Sequence, residues 1–349
     1  HLWSVATSGR PMQHAFFRGD LLWVLRSKPS YGWAGLDLVT GEERRRIAWS
    51  TWGGRWQRAH SKGRCFRSVA SGRYVLCGDL DLVDLEAGKV HYPGGARGVC
   101  RVGVLPANGL LYAFPVDCIC RPFLRGFLAL AATAAPGRPE ATDRLQRGDA
   151  GAVARSALGD PGRDWPSYRH DSRRSGATSA DVPGKMKLLW RTKIGRPARG
   201  LAEGNWAAAQ SHDTVTAPAI AAGTVFLAAR DVHQVTALDA ADGRVRWRFT
   251  AGGRVDQPPT IHRGLCLFGS RDGWVYCLRA ADGRLVWRFR AAPEDRRIIV
   301  DGQLESPWPV AGSVLVQGGT AFFAAGRHAK LDGGVTVFAA EPATGKVLW

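Results

Sequence analysis

The sequence predicts an all-β fold, a β-propeller built of four-stranded antiparallel blades. First, two segments repeat at a period of about 40 residues: Pro218 recurs as Pro259, and Trp247 recurs as Trp287. Second, each copy contains four short apolar runs that are bounded by turn residues. Third, each copy ends in a Gly-x-x-x-Trp step. A period near 40 with four strands per repeat is typical of a propeller blade.

The second copy shows how the strands are assigned. Apolar runs predict strands at 257–262, 265–270, 274–280 and 284–289. Two of the connections contain Asp-Gly, and glycine supplies the positive φ that a tight turn needs. The copy therefore has the strand and turn pattern of one complete blade.

The fourth strand of the first copy alternates apolar and charged residues. Val245, Trp247 and Phe249 share one side, and Arg246 and Arg248 share the other. This pattern predicts a half-buried outer strand whose polar face lies in water. The charge on that strand discourages edge-to-edge association.

The Gly-x-x-x-Trp step has a physical reason. The glycine permits the turn, and the indole four residues later can lie flat between neighbouring blades, where it covers a large apolar area. We therefore predict structural roles for Gly243, Trp247, Gly283, Trp287, Gly345 and Trp349. Less faithful copies of the third and fourth strands occur at 34–46, 83–92 and 127–135, and 189–191 reads as a fourth strand alone.

These repeats divide the chain. We expect degenerate blades over 1–135, an irregular insertion or linker over 136–164, and better-kept blades of the same propeller over 165–349. The insertion shows no strand periodicity, and we expect one short helix within it, near 149–158. Blades are placed at about 11–50, 60–98, 99–135, 187–249, 250–290 and 303–349. Because propellers of such blades commonly close with seven or eight, we expect an incomplete fragment with an open strand edge near Trp349.

The motif A-x-D-A-x-x-G-x-x-x-W at 237–247 resembles the repeat of bacterial PQQ-like β-propellers. That superfamily includes quinoprotein dehydrogenases and an outer-membrane assembly lipoprotein. The segments 164–170 and 174–176 are similar to the lead-in that precedes the first blade in such proteins. The resemblance implies the fold and a periplasmic or other extracytoplasmic location. It does not imply catalysis, because many members bind no quinone.

In the enzymes of that superfamily, a calcium ion and PQQ lie in the central channel. The resemblance implies a Glu, an Asn, a catalytic Asp and a disulfide between adjacent cysteines. This sequence has no adjacent cysteine pair; its nearest feature is Cys118-Ile-Cys120, and its only asparagines are Asn108 and Asn205. We therefore predict no catalytic residue and no cofactor, and keep PQQ with calcium as the alternative.

The cysteines allow more than one interpretation. Cys65, Cys100, Cys118 and Cys120 lie in one stretch without a matching histidine. A disulfide between two of them and buried free thiols both stay open, and a metal site is disfavoured because the spacing is unlike that of zinc sites. Cys266 and Cys277, on adjacent predicted strands, are expected to be small core residues.

Two insertions, 195–213 and 291–306, interrupt the better-kept repeat. Each connects a fourth strand to the next first strand, and in a propeller such connections emerge on one face. That face is the candidate binding face. A solvated loop with internal salt bridges is the other interpretation. The candidate residues are Asn205, Trp206, Arg297, Gln303, Glu305 and Trp308.

Composition restricts the partners. The formal net charge is +18, from 48 Lys+Arg against 30 Asp+Glu, with the basic residues spread along the chain. We interpret this excess as compositional bias, so a nucleic-acid-binding propeller ranks third among the hypotheses. No window of about 18 apolar residues occurs, which predicts no membrane-spanning segment. His170, His212 and His262 have no nucleophile or carboxylate at recognisable spacing and are expected to be structural or surface residues.

Two functional classes remain. The sequence favours a non-catalytic propeller that serves as a binding or assembly platform for a protein or small ligand. The alternative is a fragment of a PQQ-dependent (quinoprotein) alcohol dehydrogenase. The sequence names no partner.

Overall fold

The chain is described from a computed structural model. The structure describes residues 2–7, 15–26, 28–48, 68–77, 80–91, 98–99, 102–114, 127–133, 143–151, 153, 160, 163–181, 184–194, 214–300, 303–329 and 331–349. The chain forms two compact units, 1–135 and 136–349. In the described ranges, no helix is long and apolar enough to cross a membrane.

The first unit contains three antiparallel sheets. Blade I has the order β1-β2-β3-β4, blade II has β5-β6-β7-β8, and blade III has β11-β10-β9. The strands are β1 Phe16–Arg18, β2 Leu21–Arg26, β3 Gly32–Asp37, β4 Glu43–Ala48, β5 Val69–Ala70, β6 Tyr74–Leu76, β7 Leu82–Asp84, β8 Lys89–His91, β9 Val104–Ala107, β10 Leu110–Ala113 and β11 Leu128–Ala131. Trp23, Trp33 and Val75 are buried between blades I and II.

The second unit begins with a short strand, β12, and contains three further blades and a hairpin. Blade IV has the order β13-β14-β15-β16, blade V has β17-β18-β19-β20, and blade VI has β23-β24-β25, while β21 and β22 pair with each other. The strands are β12 Leu145–Arg147, β13 Ala219–Ala221, β14 Thr224–Ala229, β15 Gln234–Asp239, β16 Val245–Thr250, β17 Thr260–His262, β18 Leu265–Gly269, β19 Trp274–Arg279, β20 Leu285–Arg290, β21 Ile298–Val300, β22 Gln303–Glu305, β23 Leu315–Gln317, β24 Thr320–Ala325 and β25 Thr336–Ala340.

These sheets confirm the prediction of four-stranded antiparallel propeller blades. The four strands predicted for the second copy correspond to β17–β20, and β16 buries Trp247 while exposing Arg246 and Arg248. Blades III and VI each show three strands among the described residues, and in blade VI Ala340 also bridges Val347. The segment 189–191 is described but forms no strand.

Blade V lies between two cores because its strands are apolar on both faces. Leu267, Cys277 and Trp287 belong to the core shared with blade VI. Cys266 and Phe268 belong to the core shared with blade IV. The two cysteines are therefore free thiols on opposite faces of one sheet, which confirms the expectation of small core residues. The four cysteines for which a disulfide or free thiols stayed open, at positions 65, 100, 118 and 120, lie outside the described residues.

The indole of each buried step tryptophan contacts the turn of the next blade. Trp247 Nε1 donates to the carbonyl oxygen of Ala280 at 2.9 Å, and Trp287 Nε1 donates to that of Pro342 at 2.9 Å. A Cβ on Gly283 would lie 2.6 Å from the Trp247 ring, at a φ of +73°. The glycine is therefore needed for the turn and also for the close approach of the preceding blade's indole.

Two further tryptophans make the same contact, and one step tryptophan does not. Trp190 Nε1 donates to the carbonyl oxygen of Ala240, and Trp3 Nε1 donates to that of Leu38. Trp349 is 65% exposed and contacts Phe322, so this copy of the step does not bury its indole.

The interval 136–164 contains a strand that its sequence pattern does not indicate. β12 pairs antiparallel with β20 and becomes the fifth strand of the blade V sheet. Three residues are too few to show a period of two, and main-chain hydrogen bonds at a sheet edge leave no apolar pattern. Within the predicted helix at 149–158, the described residues 149–151 and 153 are not helical.

The lead-in segment crosses the inner strands of the second unit. Trp165 exchanges two backbone hydrogen bonds with Ile220, at 2.7 and 2.8 Å. Pro166 accepts a hydrogen bond from the backbone N–H of Ile261, and Arg174 donates to the Ser313 hydroxyl at 2.9 Å. One short segment thereby connects blades IV and V with the approach to blade VI.

Candidate binding face

Three connections lie at the same end of blade V. Successive connections in an antiparallel sheet alternate between its two ends. The β16–β17 connection, the β18–β19 turn and the connection from β20 to β23 therefore share one end. We call the residues 251–259, 270–273, 291–300 and 303–314 the loop face.

Buried ion pairs join these three segments. Glu305 forms an ion pair with Arg254 at 3.0 Å and accepts a hydrogen bond from Arg271 at 2.9 Å. Asp256 accepts a further hydrogen bond from Arg271 Nε. The Glu305 side chain is 2% exposed and that of Arg254 is 5% exposed. Two guanidinium groups thus face two carboxylates, and the opposite charges balance within the cluster.

Burial decides the electrostatics of this cluster. Burial raises the pKa of Glu305 above its ordinary value, and Arg271 and Arg254 act in the opposite direction. Burial disfavours the charged form of Arg271, but Glu305 and Asp256 outweigh that effect and raise its pKa. Removing one partner from such a cluster leaves an uncompensated buried charge, which is strongly destabilising.

The cluster anchors the β21–β22 hairpin at its inner face. Ile298 pairs with Glu305, Ile299 with Leu304, and Val300 with Gln303. Because side chains alternate along a strand, Glu305 and Val300 point inward and the Ile299–Leu304 pair points outward. These two apolar side chains are 63% and 60% exposed. The hairpin therefore presents an apolar cross-strand pair to solvent from a fixed base.

The predicted site residues of the hairpin region have different surroundings. Gln303 Oε1 is 3.0 Å from His233 Nε2, which ties the hairpin to blade IV. Glu305 lies in the buried cluster.

Trp308 Nε1 donates to the carbonyl oxygen of Asp332, and the Arg296 guanidinium lies 4.7 Å from the Trp308 ring centroid. Arg297 pairs with Asp295 at 3.3 Å near the surface. Asn205 and Trp206 lie outside the described residues.

Gln303 and Glu305 thus lie on one strand, β22, with different partners, whereas Arg297 and Trp308 contact residues outside that strand. Sequence reasoning missed Arg254, Asp256 and Arg271, because their pairing connects loops of different blades. It also missed the outward Ile299–Leu304 pair, although the apolar run at 298–300 was a signal for a strand.

No group of three or more His, Cys, Asp or Glu among the described residues could hold a metal ion. Cys118, Cys120 and Asn205, the nearest counterparts in the sequence to the residues of the quinoprotein centre, are outside the described ranges.

A small cleft lies at the opposite end of blade V. Its volume is about 170 Å³, below the roughly 300 Å³ at which ligand pockets usually begin. His262 lines the cleft, and its pKa is lowered by burial and by the neighbouring Arg263. His170 packs edge-on against Trp165, with ring centroids 5.1 Å apart. We do not assign the site to either histidine.

The blades, their period and the indole contacts between them define a β-propeller repeat protein. The family model described as outer membrane protein assembly factor BamB matches residues 183–349. Over residues 183–349, the chain therefore carries PQQ-like β-propeller repeats.

Solved structures with similarity to the chain include three natural propellers. Quinohemoprotein alcohol dehydrogenase ADHIIG from Pseudomonas putida HK5 is 19% identical, with a TM-score of 0.40, over 54% of this chain and 26% of that one. The Comamonas testosteroni quinohemoprotein alcohol dehydrogenase is 16% identical, with a TM-score of 0.39, over 55% and 28%. BamB from Moraxella catarrhalis is 17% identical, with a TM-score of 0.25, over 38% and 46%.

The chain therefore spans about a quarter of the length of the two dehydrogenases and under half the length of that BamB. No curated protein matches it.

Proposed function

We propose that the chain is a non-catalytic PQQ-like propeller repeat protein that acts as a protein-binding platform, with the β21–β22 hairpin as its docking element. The observation that carries this proposal is the outward Ile299–Leu304 pair on a hairpin anchored by buried Glu305. Contiguous exposed apolar patches often mark interaction sites, and this pair forms the apolar surface of the hairpin.

Physical chemistry favours a protein as the partner. Burying an aliphatic side chain completely contributes about 1.5–3 kcal/mol, so this pair can supply a useful part of a binding free energy. The hairpin is held before binding, so little conformational entropy is lost when a partner docks. The pair projects from the surface, so it fits an apolar groove on another protein better than it fits a small ligand.

The family description is consistent with this role. The matching model is that of an assembly factor for outer membrane proteins. We extend the proposal to an extracytoplasmic, periplasmic location and to a partner in protein assembly there.

The experiment is partner capture by the immobilised chain from a periplasmic extract, followed by mass spectrometry. Replacing Ile299 and Leu304 together by Ser should remove the specific partner. The matched control replaces Val335 and Val337, which are also half exposed, at 47% and 52%, but belong to blade VI and the turn before it. If both double variants capture the same proteins as the wild type, the hairpin is not the docking element.

The dehydrogenase alternative has its own test. The chain would be incubated with PQQ and calcium and assayed for dye-linked alcohol oxidation. We expect no turnover above the cofactor blank. Clear turnover would contradict the non-catalytic assignment, whatever the capture experiment shows.

A further inference from the structure

Blade V carries an additional strand on its outer edge. We call residues 143–151 the strap. The backbone N–H of Arg290 donates to the Arg144 carbonyl oxygen at 2.8 Å, and that of Gly148 donates to the Val286 carbonyl oxygen at 2.9 Å. The outward backbone groups of β20, which would otherwise face solvent, are therefore hydrogen-bonded by a segment more than 130 residues earlier in the chain.

Side chains add specificity to this edge. The Arg144 guanidinium lies 5.0 Å from the centroid of the Phe289 ring. Gln146 Oε1 accepts a hydrogen bond from Arg288 Nε at 2.8 Å. Phe289 and Arg288 are thus the two side chains of β20 that contact the strap most directly.

The outer strand of blade IV is a second copy of the same edge. β16 carries Arg248 and Phe249 where β20 carries Arg288 and Phe289. The register against the third strand is also the same, and it shifts at the same place in both blades. Among the described residues, no strand pairs with the outer edge of β16. An edge strand with free N–H and C=O groups can accept an extended segment.

We propose that the outer edge of β16 binds an extended segment of a partner protein, which adds to blade IV as a fifth strand in the way the strap adds to blade V. The strap indicates the chemistry of the occupant, with an amide or carboxylate opposite Arg248. β16 has exposed Arg246 and Arg248, whereas blade V has Val286 at the first of these positions. Each of the two strands carries two arginines, and Arg246 forms an ion pair with Asp239 at 2.7 Å. Arg248 is therefore the charged side chain of β16 that favours an acidic residue on the added segment.

The ladder geometry supplies a selective variant. The backbone groups of Val286 and Arg290 form hydrogen bonds with the strap. Because alternate residues of a strand direct their backbone groups to the same neighbour, those of Arg288 also face the strap. The corresponding outward residues of β16 are Arg246, Arg248 and Thr250. A proline at an outward position of an edge strand removes one N–H without breaking the inner ladder.

The probe is a fluorescent peptide with the strap sequence 143–149, together with a second peptide in which the glutamine is replaced by glutamate. Affinity is measured by anisotropy, and backbone hydrogen exchange is followed at 245–250. We expect binding to slow exchange at 245–250, and we expect the glutamate peptide to bind about threefold more tightly, with greater sensitivity to salt. Unchanged exchange at 245–250 at saturating peptide would overturn the proposal.

Two protein variants and one modified peptide distinguish a strand-addition site from a merely basic surface. Arg248→Pro should weaken binding at least about tenfold, and Arg248→Ala should weaken it only a few-fold, because alanine keeps the outward N–H. A peptide methylated on the glutamine backbone nitrogen tests the same hydrogen-bond ladder without altering the protein, and it should lose binding. Equal affinity for the methylated and unmethylated peptides would contradict strand addition, even if Arg248→Pro failed to fold.

Other occupants give different results. If the free chain already shows slow exchange at the outward N–H groups of Arg246, Arg248 and Thr250, a segment of its own sequence covers the edge. If sedimentation shows a dimer that Arg248→Pro abolishes, a second copy occupies it. Either result overturns the assignment to a partner. The test is independent of the hairpin, because neither Ile299 nor Leu304 is changed.

Discussion

At the scale of the residue, single indoles join neighbouring blades. Trp287 is fully buried, and its ring packs under Gly345 of the next turn while its Nε1 donates to the Pro342 carbonyl oxygen. The side chain therefore contributes apolar area and a satisfied hydrogen bond at the same interface. Each such residue fixes both the spacing and the rotation of one blade relative to the next.

Replacing Trp287 by Ala is expected to lower the free energy of unfolding by about 3–5 kcal/mol, because a large buried aromatic leaves a cavity. Trp349→Ala is the matched control, since that indole is mostly exposed, and its effect should stay within about 1 kcal/mol. Urea unfolding followed by circular dichroism measures both. Equal losses in the two variants would show that the buried indole is not what joins the blades.

A carboxylate in blade II predicts how stability depends on pH. Arg73 and the backbone N–H groups of Ala87 and Glu86 hold the pKa of Asp84 well below its ordinary value of 3.8. A lowered pKa in the folded state adds stability above the unfolded pKa, and this stability is lost as the pH falls further.

The melting temperature of the wild type should therefore fall steeply as the pH decreases below about 4. The Asp84→Asn variant should be less stable at pH 7 and should show a shallower decrease, because it lacks the titrating group. Thermal melts at pH 7, 5, 4 and 3 give the comparison. If the melting temperatures of the two proteins decrease equally with pH, Asp84 does not cause the acid sensitivity.

At the scale of the element, the periodicity of apolar residues predicts those strands that are long enough to show which side chains are buried. β17–β20 follow the predicted runs within a few residues because each strand has enough apolar residues to show its burial. β12 could not be predicted, because its pairing depends on main-chain groups of a distant strand. The same limit applies to the site. Gln303 and Glu305 could be selected as polar residues in an insertion, but their partners Arg254 and His233 come from other blades.

The turn between the third and fourth strands also has a role that the motif alone does not reveal. Gly283 has positive φ, and a Cβ there would collide with Trp247 of the preceding blade. Gly109 has almost the same φ, +72°, but open space around it. A substitution at Gly109 therefore tests only the cost of the backbone conformation, whereas one at Gly283 also tests the cost of disturbing the contact between blades.

We expect Gly109→Ala to lose about 1–2 kcal/mol of unfolding free energy, the cost of a left-handed conformation. Gly283→Ala should lose about 1–3 kcal/mol more, because the indole must move. Denaturant unfolding of both variants checks this. A Gly283 variant no less stable than the Gly109 variant would mean that the indole can shift without cost.

At the scale of the whole molecule, each described unit is a series of blades held by contacts between neighbours. In the second unit, the indole contacts, the lead-in segment and the buried ion pairs of the loop face connect the same blades by different means. The ion pairs contribute little net stability as a group, because burying charges is costly. The role of these ion pairs is to hold in position the hairpin that carries Ile299 and Leu304.

Glu305→Ala should therefore affect stability and binding together. The variant leaves Arg254 and Arg271 without their shared carboxylate, and breaking such a pair costs about 3–5 kcal/mol. The hairpin should also lose its anchor, so partner capture should weaken although Ile299 and Leu304 are unchanged. Changing that apolar pair to Ser should weaken capture with little loss of unfolding free energy. Chemical unfolding and capture, measured on the same preparations, separate the two effects; full capture by a destabilised Glu305 variant would show that the anchor does not position the docking element.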